Sequence, residues 1–114
     1  MKSHAAVAAE LLGDPGLVEG VIRDAASSGL DAKHKALFAF LDVVNKDCAS
    51  VTAAHLAGLR AQGWTDEELY FAISVCALFN FYNRWIDASG VHGMSDEAHR
   101  HGAKRSAVHG YVRE

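Results

Sequence analysis

Residues 65–90 read TDEELYFAISVCALFNFYNRWIDASG, and this stretch decides the fold. Thr65-Asp66-Glu67-Glu68 matches a capping box, a threonine followed two spacers later by glutamate, so a helix is expected to open there. It runs from about Asp66 to Ala88, with Gly90 as its stop. Leu69, Tyr70, Phe71, Ile73, Val75, Leu78, Phe79, Phe81, Tyr82, Trp85 and Ile86 cover nearly its whole circumference. A helix apolar all round needs burial on all sides. One small domain has few partners to offer, so part of this helix is expected to face another subunit. Large exposed apolar patches are rare on soluble monomers. The alternative is a central core helix in a monomer.

The segments on either side are also helical in pattern. Lys2–Leu12 is alanine-rich and ends at Gly13-Asp14-Pro15, where Asp14 and Pro15 read as the N-cap and first turn of a second helix. That helix sets Leu17, Val18, Val21 and Ile22 on one face and stops near Ser27-Ser28-Gly29. Asp31 caps a third helix, with Leu37, Phe40, Leu41 and Val44 inward and an end around Asn45–Cys48. No hydrophobic staple forms there, because Leu30 before the cap meets Lys35. A fourth helix spans roughly Thr52–Gln62, with Leu56 and Leu59 inward and Gly63 as its stop. Ser95-Asp96-Glu97 opens a last, mostly polar helix that ends at Gly110. No repeat or linker interrupts the chain, so one all-α domain of five or six helices over residues 1–114 is expected.

Composition agrees. The 114 residues are 50% hydrophobic, with twenty alanines, ten valines, two threonines and one proline. This is a helix-former's composition and argues against a sandwich or barrel. The length suits one domain with one core. Eleven basic and fourteen acidic residues give a net charge of −3, without the basic block that nucleic-acid binding uses. The N-terminal apolar run is too short and polar for a membrane span and matches a signal peptide poorly. Two cysteines, Cys48 and Cys76, give no disulfide framework and fit a reducing compartment. A soluble cytoplasmic protein without nucleic-acid or membrane partners is expected.

Three groups of residues could carry chemistry. Asn80, Asn83, Arg84 and Asp87 stand three and four apart and form one polar stripe on the long helix. That stripe reads either as a buried network fixing helix register, with Arg84 paired to Asp87, or as a pocket floor that binds a small acid. Cys48 and His55 are seven apart, and an imidazole beside a thiol can deprotonate it for nucleophilic attack. His55 alone also reads as a capping histidine. Cys76 sits mid-helix among apolar residues and reads as a small hydrophobe. His92, His99, His101 and His109 contain no i, i+4 pair, so no metal site and no cofactor are expected, and solvated surface histidines are the simpler reading. No phosphate loop, nucleophile elbow or dinucleotide fingerprint is present.

Gly63-Trp64-Thr65-Asp66-Glu67-Glu68, Phe79-Asn80-Phe81-Tyr82-Asn83-Arg84-Trp85 and Ser89-Gly90-Val91 together resemble the carboxymuconolactone decarboxylase and alkylhydroperoxidase D-like superfamily. The resemblance covers about Leu30 to Val91 and is closest to the peroxidase-related branch. It implies an all-helical fold that assembles into homo-oligomers through long helices. In peroxidase members it also implies a redox centre of two cysteines three apart, a histidine four beyond the second, and a glutamate about twelve before the first. Here the first cysteine falls on Cys48 and the histidine on His55, while Val51 and Ala36 take the other two positions. The Cys-x-x-Cys pair is therefore lacking and the centre is degenerate.

These readings lead to three expectations. One is a weak thiol-dependent hydroperoxide reductase of the antioxidant, peroxiredoxin type, with Cys48 as nucleophile, His55 as its base and an external thiol resolving the sulfenic acid. Another is a decarboxylase-like lyase with His55 as general acid/base, in which Arg84, flanked by Asn80 and Asn83, holds a substrate carboxylate. The third is a non-catalytic helical homo-oligomer that binds a small molecule.

Overall fold

A computed structural model describes residues 2–110; residue 1 and residues 111–114 lie outside the described part. Six helices follow in order: α1 (Lys2–Leu12), α2 (Pro15–Asp24), α3 (Ala32–Asp47), α4 (Ala53–Ala61), α5 (Asp66–Ser89) and α6 (Asp96–His109). A single 3-10 turn, Cys48–Ser50, separates α3 from α4, and the described residues contain no strand. The all-α expectation holds, with helix ends within a few residues of those read from the sequence.

Local chemistry explains the boundaries. The carboxylates of Asp14 and Asp31 accept from the backbone N–H of Leu17 and His34, each at 2.8 Å, and so start α2 and α3. Thr65 Oγ1 accepts from Glu68 N at 3.2 Å while Glu68 Oε2 accepts from Thr65 N at 2.9 Å, a complete capping box on α5. Helix α4 ends in a Schellman motif. Gly63 N donates to Arg60 O and Trp64 N donates to Leu59 O, a reversal that Gly63 permits at φ 88°.

The helices divide into two compact units. One is the continuous segment Leu30–Val91, which holds α3, α4 and α5. Its core is Leu37 and Phe40 from α3, Leu59 from α4 and Leu69 from α5, each no more than 8% exposed. Leu41, Val44, Leu56, Trp64, Ala72 and Ile73 pack against that nucleus. Trp64 ties the start of α3 to the α4–α5 turn: its Nε1 donates to Lys33 O at 3.0 Å, its face lies 4.3 Å from Lys33 Nζ, and the His34 ring meets it edge-on. The other unit holds α1, α2 and α6, with Ala103 buried, Lys2 paired to Asp96 at 2.8 Å, and Ser3 Oγ hydrogen-bonded to His99 Nδ1 at 2.7 Å.

The longest helix is covered on one side only within its unit. Leu69 is buried and Ala72 and Ile73 pack on the core, but the remaining face of α5 is open. Tyr70 is 77% exposed, Phe71 72%, Phe81 60% and Trp85 59%. Within the Leu30–Val91 unit, α3 and α4 pack on one side of α5 and leave its other side uncovered.

Candidate functional site

Helix α3 keeps helical geometry through Cys48, which caps it at φ −60° and ψ −23°. Asn45 and Cys48 therefore lie one turn apart on the same face of its last turn. The Cys48 thiol is exposed and free. The Asn45 side chain crosses to α5, its Oδ1 accepting from Asn80 Nδ2 at 2.6 Å. Asn80 also donates to Cys76 O at 3.1 Å, which aims its amide. Its own carbonyl groups then accept Arg84 Nη1, at 3.0 Å from the backbone oxygen and 2.7 Å from Oδ1. Asn45, Asn80 and Arg84 thus form one chain of hydrogen bonds linking the end of α3 to the outer half of α5.

This arrangement differs from the polar stripe read along α5. Arg84 binds Asn80 and makes no ion pair with Asp87 among the described residues. Arg84, Asn83 and Asp87 are exposed and Asn80 is half-buried, so the network borders solvent and is not a buried ion-pair cluster. Asn45 was missed by sequence reasoning. Its partner lies 35 residues away, so no local spacing marks it.

His55 sits in the first turn of α4, and its imidazole turns back on the chain. Nδ1 accepts from Thr52 N at 3.0 Å and lies 2.9 Å from Thr52 Oγ1. A backbone N–H can only donate, so Nδ1 carries no proton in this arrangement and the neutral ring bears its hydrogen on Nε2. The capping reading of His55 describes its geometry. No hydrogen bond joins it to Cys48 among the described residues. The two remaining positions of the implied redox centre, Val51 and Ala36, both pack against the apolar core of α3, α4 and α5.

Cys76 is half-buried on α5, and its sulfur lies 3.8 Å from Asn80 Nδ2. Histidines 92, 101 and 109 are exposed, while His99 is half-buried against Ser3. Among the described residues no group of three or more potential metal ligands gathers, and no helix is long and apolar enough to cross a membrane.

The sequence model of the carboxymuconolactone decarboxylase family matches residues 16–92. That span takes in α2 and the whole Leu30–Val91 unit with Cys48, His55, Asn80 and Arg84. No curated protein and no solved structure matches the chain.

Proposed function

The chain belongs to the carboxymuconolactone decarboxylase family, and from that premise we propose that it is a thiol-dependent hydroperoxide reductase working through one cysteine, Cys48. One observation carries this reading: the exposed Cys48 thiol stands a helical turn from Asn45, the residue that leads through Asn80 to Arg84. A reachable sulfur at a helix end, one turn from a residue hydrogen-bonded toward an arginine, suits attack on a small electrophile.

The chemistry balances with one external reductant, a low-molecular-weight thiol. The Cys48 thiolate attacks one peroxide oxygen and the O–O bond breaks. Cys48 becomes the sulfenic acid, and the other oxygen leaves as the alcohol after taking a proton. One external thiol condenses with the sulfenic acid, releasing water and leaving a mixed disulfide. A second external thiol attacks the external sulfur of that disulfide, the Cys48 thiolate leaves, and the two external thiols depart oxidised as their own disulfide. With Nδ1 engaged as an acceptor, His55 offers Nε2–H as a hydrogen-bond donor to the leaving oxygen, which takes its proton from water. Val51 supplies no second thiol, so the oxidised sulfur must be resolved from outside. Such a cycle belongs in the thiol-rich cytoplasm.

Steady-state consumption of an organic hydroperoxide with a thiol donor tests the reading. Cys48→Ser should abolish turnover and Cys76→Ser should retain it. Arg84→Ala should slow it by roughly ten- to a hundredfold, the scale of one charge-assisted hydrogen bond. Equal turnover by Cys48→Ser would remove Cys48 as nucleophile.

A second reading rests on Arg84 itself. Only Nη1 is engaged among the described residues, so the exposed guanidinium keeps donors for a substrate carboxylate, with the His55 Nε2–H as a hydrogen-bond donor to the substrate of a lyase. Lyase turnover would fall in His55→Ala and survive thiol alkylation. A binding protein would show no turnover in either assay, with Arg84→Ala weakening ligand affinity.

A further inference from the structure

Helices α3 and α5 run parallel. Trp64, just before α5, donates to Lys33 at the start of α3, and Asn80, in the second half of α5, donates to Asn45 near the end of α3. The Asn45–Asn80 bond therefore fixes the register of the two helices beyond the core. Each residue of a helix advances by about 100°, so Cys48, three beyond Asn45, lags a full turn by about 60°, and Arg84, four beyond Asn80, leads it by about 40°. On parallel helices that face one another, a lag on one and a lead on the other turn toward the same edge of the pair. Cys48 and Arg84 thus flank the Asn45–Asn80 bond on one edge, inside a single compact unit.

Neutral partners hold Arg84 in place. Both of its bonds are made by Nη1, to Asn80 O at 3.0 Å and to Asn80 Oδ1 at 2.7 Å. Nε and Nη2 form the opposite edge of the guanidinium, the parallel pair of N–H donors that grips a carboxylate through two bonds. Among the described residues no carboxylate of the chain takes that edge: Asp42 is paired with Lys46 at 2.6 Å, and neither Asp47 nor Asp87 pairs with Arg84. We propose that Arg84 selects the substrate of Cys48, and that the substrates are small hydroperoxides carrying a carboxylate, held by the Nε–Nη2 edge while the peroxide meets the sulfur. Such selectivity rests on the reading of Cys48 as the peroxide-reducing thiol. Packed helix axes lie about 8–10 Å apart, so an acid that reaches from the guanidinium to the sulfur is short, its carboxylate a few bonds from its peroxide. Cys48 takes the terminal peroxide oxygen as its sulfenic acid, and the remainder leaves as the hydroxy acid with a proton from water. Two external thiols then return Cys48 to the thiol, departing as their disulfide with release of water.

Paired substrates test the selectivity. γ-Hydroperoxyisocaproic acid and its methyl ester share one peroxide and differ in a single carboxylate. With a thiol donor, the wild-type chain should show a kcat/KM roughly ten- to a hundredfold higher for the acid, the scale of hydrogen bonds to a charged group. In Arg84→Gln the acid-to-ester ratio should fall to about one, and because the ratio is read within each chain, a general loss of activity does not obscure it. A second readout needs no turnover. In Cys76→Ser, where Cys48 is the remaining thiol, the rate of alkylation by iodoacetate relative to iodoacetamide should fall roughly tenfold when Arg84→Gln is added. Cys48-dependent turnover with equal kcat/KM for acid and ester would overturn the substrate class and leave Cys48 as the nucleophile. An alkylation ratio that Arg84→Gln leaves unchanged would overturn it as well. No Cys48-dependent turnover of either compound would remove the Cys48 reading and this proposal with it.

Discussion

Thr65 and Glu68 show how much a four-residue pattern can determine. Each satisfies a backbone N–H that the helix geometry leaves unpaired, and the contact is local, so it was legible in the sequence. The Thr65 backbone N–H holds the Glu68 carboxyl below its ordinary value of 4.5, with the threonine hydroxyl adding to the effect. The same logic holds Asp31 below 3.8, first through the His34 backbone N–H and then through its imidazole. Because the folded values are depressed, the stabilisation is full above the ordinary values and is lost as pH falls from there through the lower folded values. Thermal melts between pH 6 and pH 3 should therefore show a decline beginning near pH 4.5. In Glu68→Gln, which retains an acceptor oxygen but does not titrate, that decline should be shallower; an identical pH profile would count against the capping box as its source. Asn45 marks the opposite limit. Its role is set by a residue 35 positions later, which no spacing rule reaches.

Among the elements, α3 and α4 owe their positions to a small nucleus. Phe40 is 4% exposed, Leu59 3% and Leu69 3%, and these three residues come from three different helices. Phe40→Ala should destabilise the chain by about 3–5 kcal/mol, measured by urea denaturation, since it removes a ring and leaves a cavity where those helices meet. A cost below 1 kcal/mol would show that the site collapses without penalty. At the end of α5, Gly90 adopts φ 70°, so Gly90→Ala should cost about 1 kcal/mol although nothing crowds the position. The inward positions Leu37, Phe40, Leu56 and Leu59 could be read from periodicity because burial on one helix face follows the 3.6-residue repeat. Periodicity failed for α5, where apolar residues on every face left no phase to choose. Packing on α3 made that choice, turning Leu69, Ala72 and Ile73 inward. The redox positions tell a related story: Val51 and Ala36 are spent on the core, so the polar centre that the family resemblance implies is replaced there by apolar packing.

For the whole molecule, the sequence expectation that α5 faces another subunit is open to test. If two copies cover the exposed apolar residues of α5, melting temperature should rise with protein concentration across the micromolar range, and Leu78→Glu should remove that dependence. A melting temperature independent of concentration in both chains would speak for a lone subunit. The division into two units also clarifies the reach of the family match. The motifs read in the sequence extend over Leu30–Val91, the same span as the compact α3–α5 unit. The family match begins earlier, at residue 16, and takes in α2. By itself the sequence determined the helical class, a count of five or six helices and nearly all their ends, because caps, glycine stops and proline starts act between residues three or four apart. It also brought Cys48, His55 and Arg84 to notice as chemical groups. Only the tertiary structure decided which face of α5 turns inward, that Asn45 joins Asn80 and Arg84, and that Val51 belongs to the core. Those outcomes depend on which distant surfaces meet, and that is settled by packing rather than by local geometry.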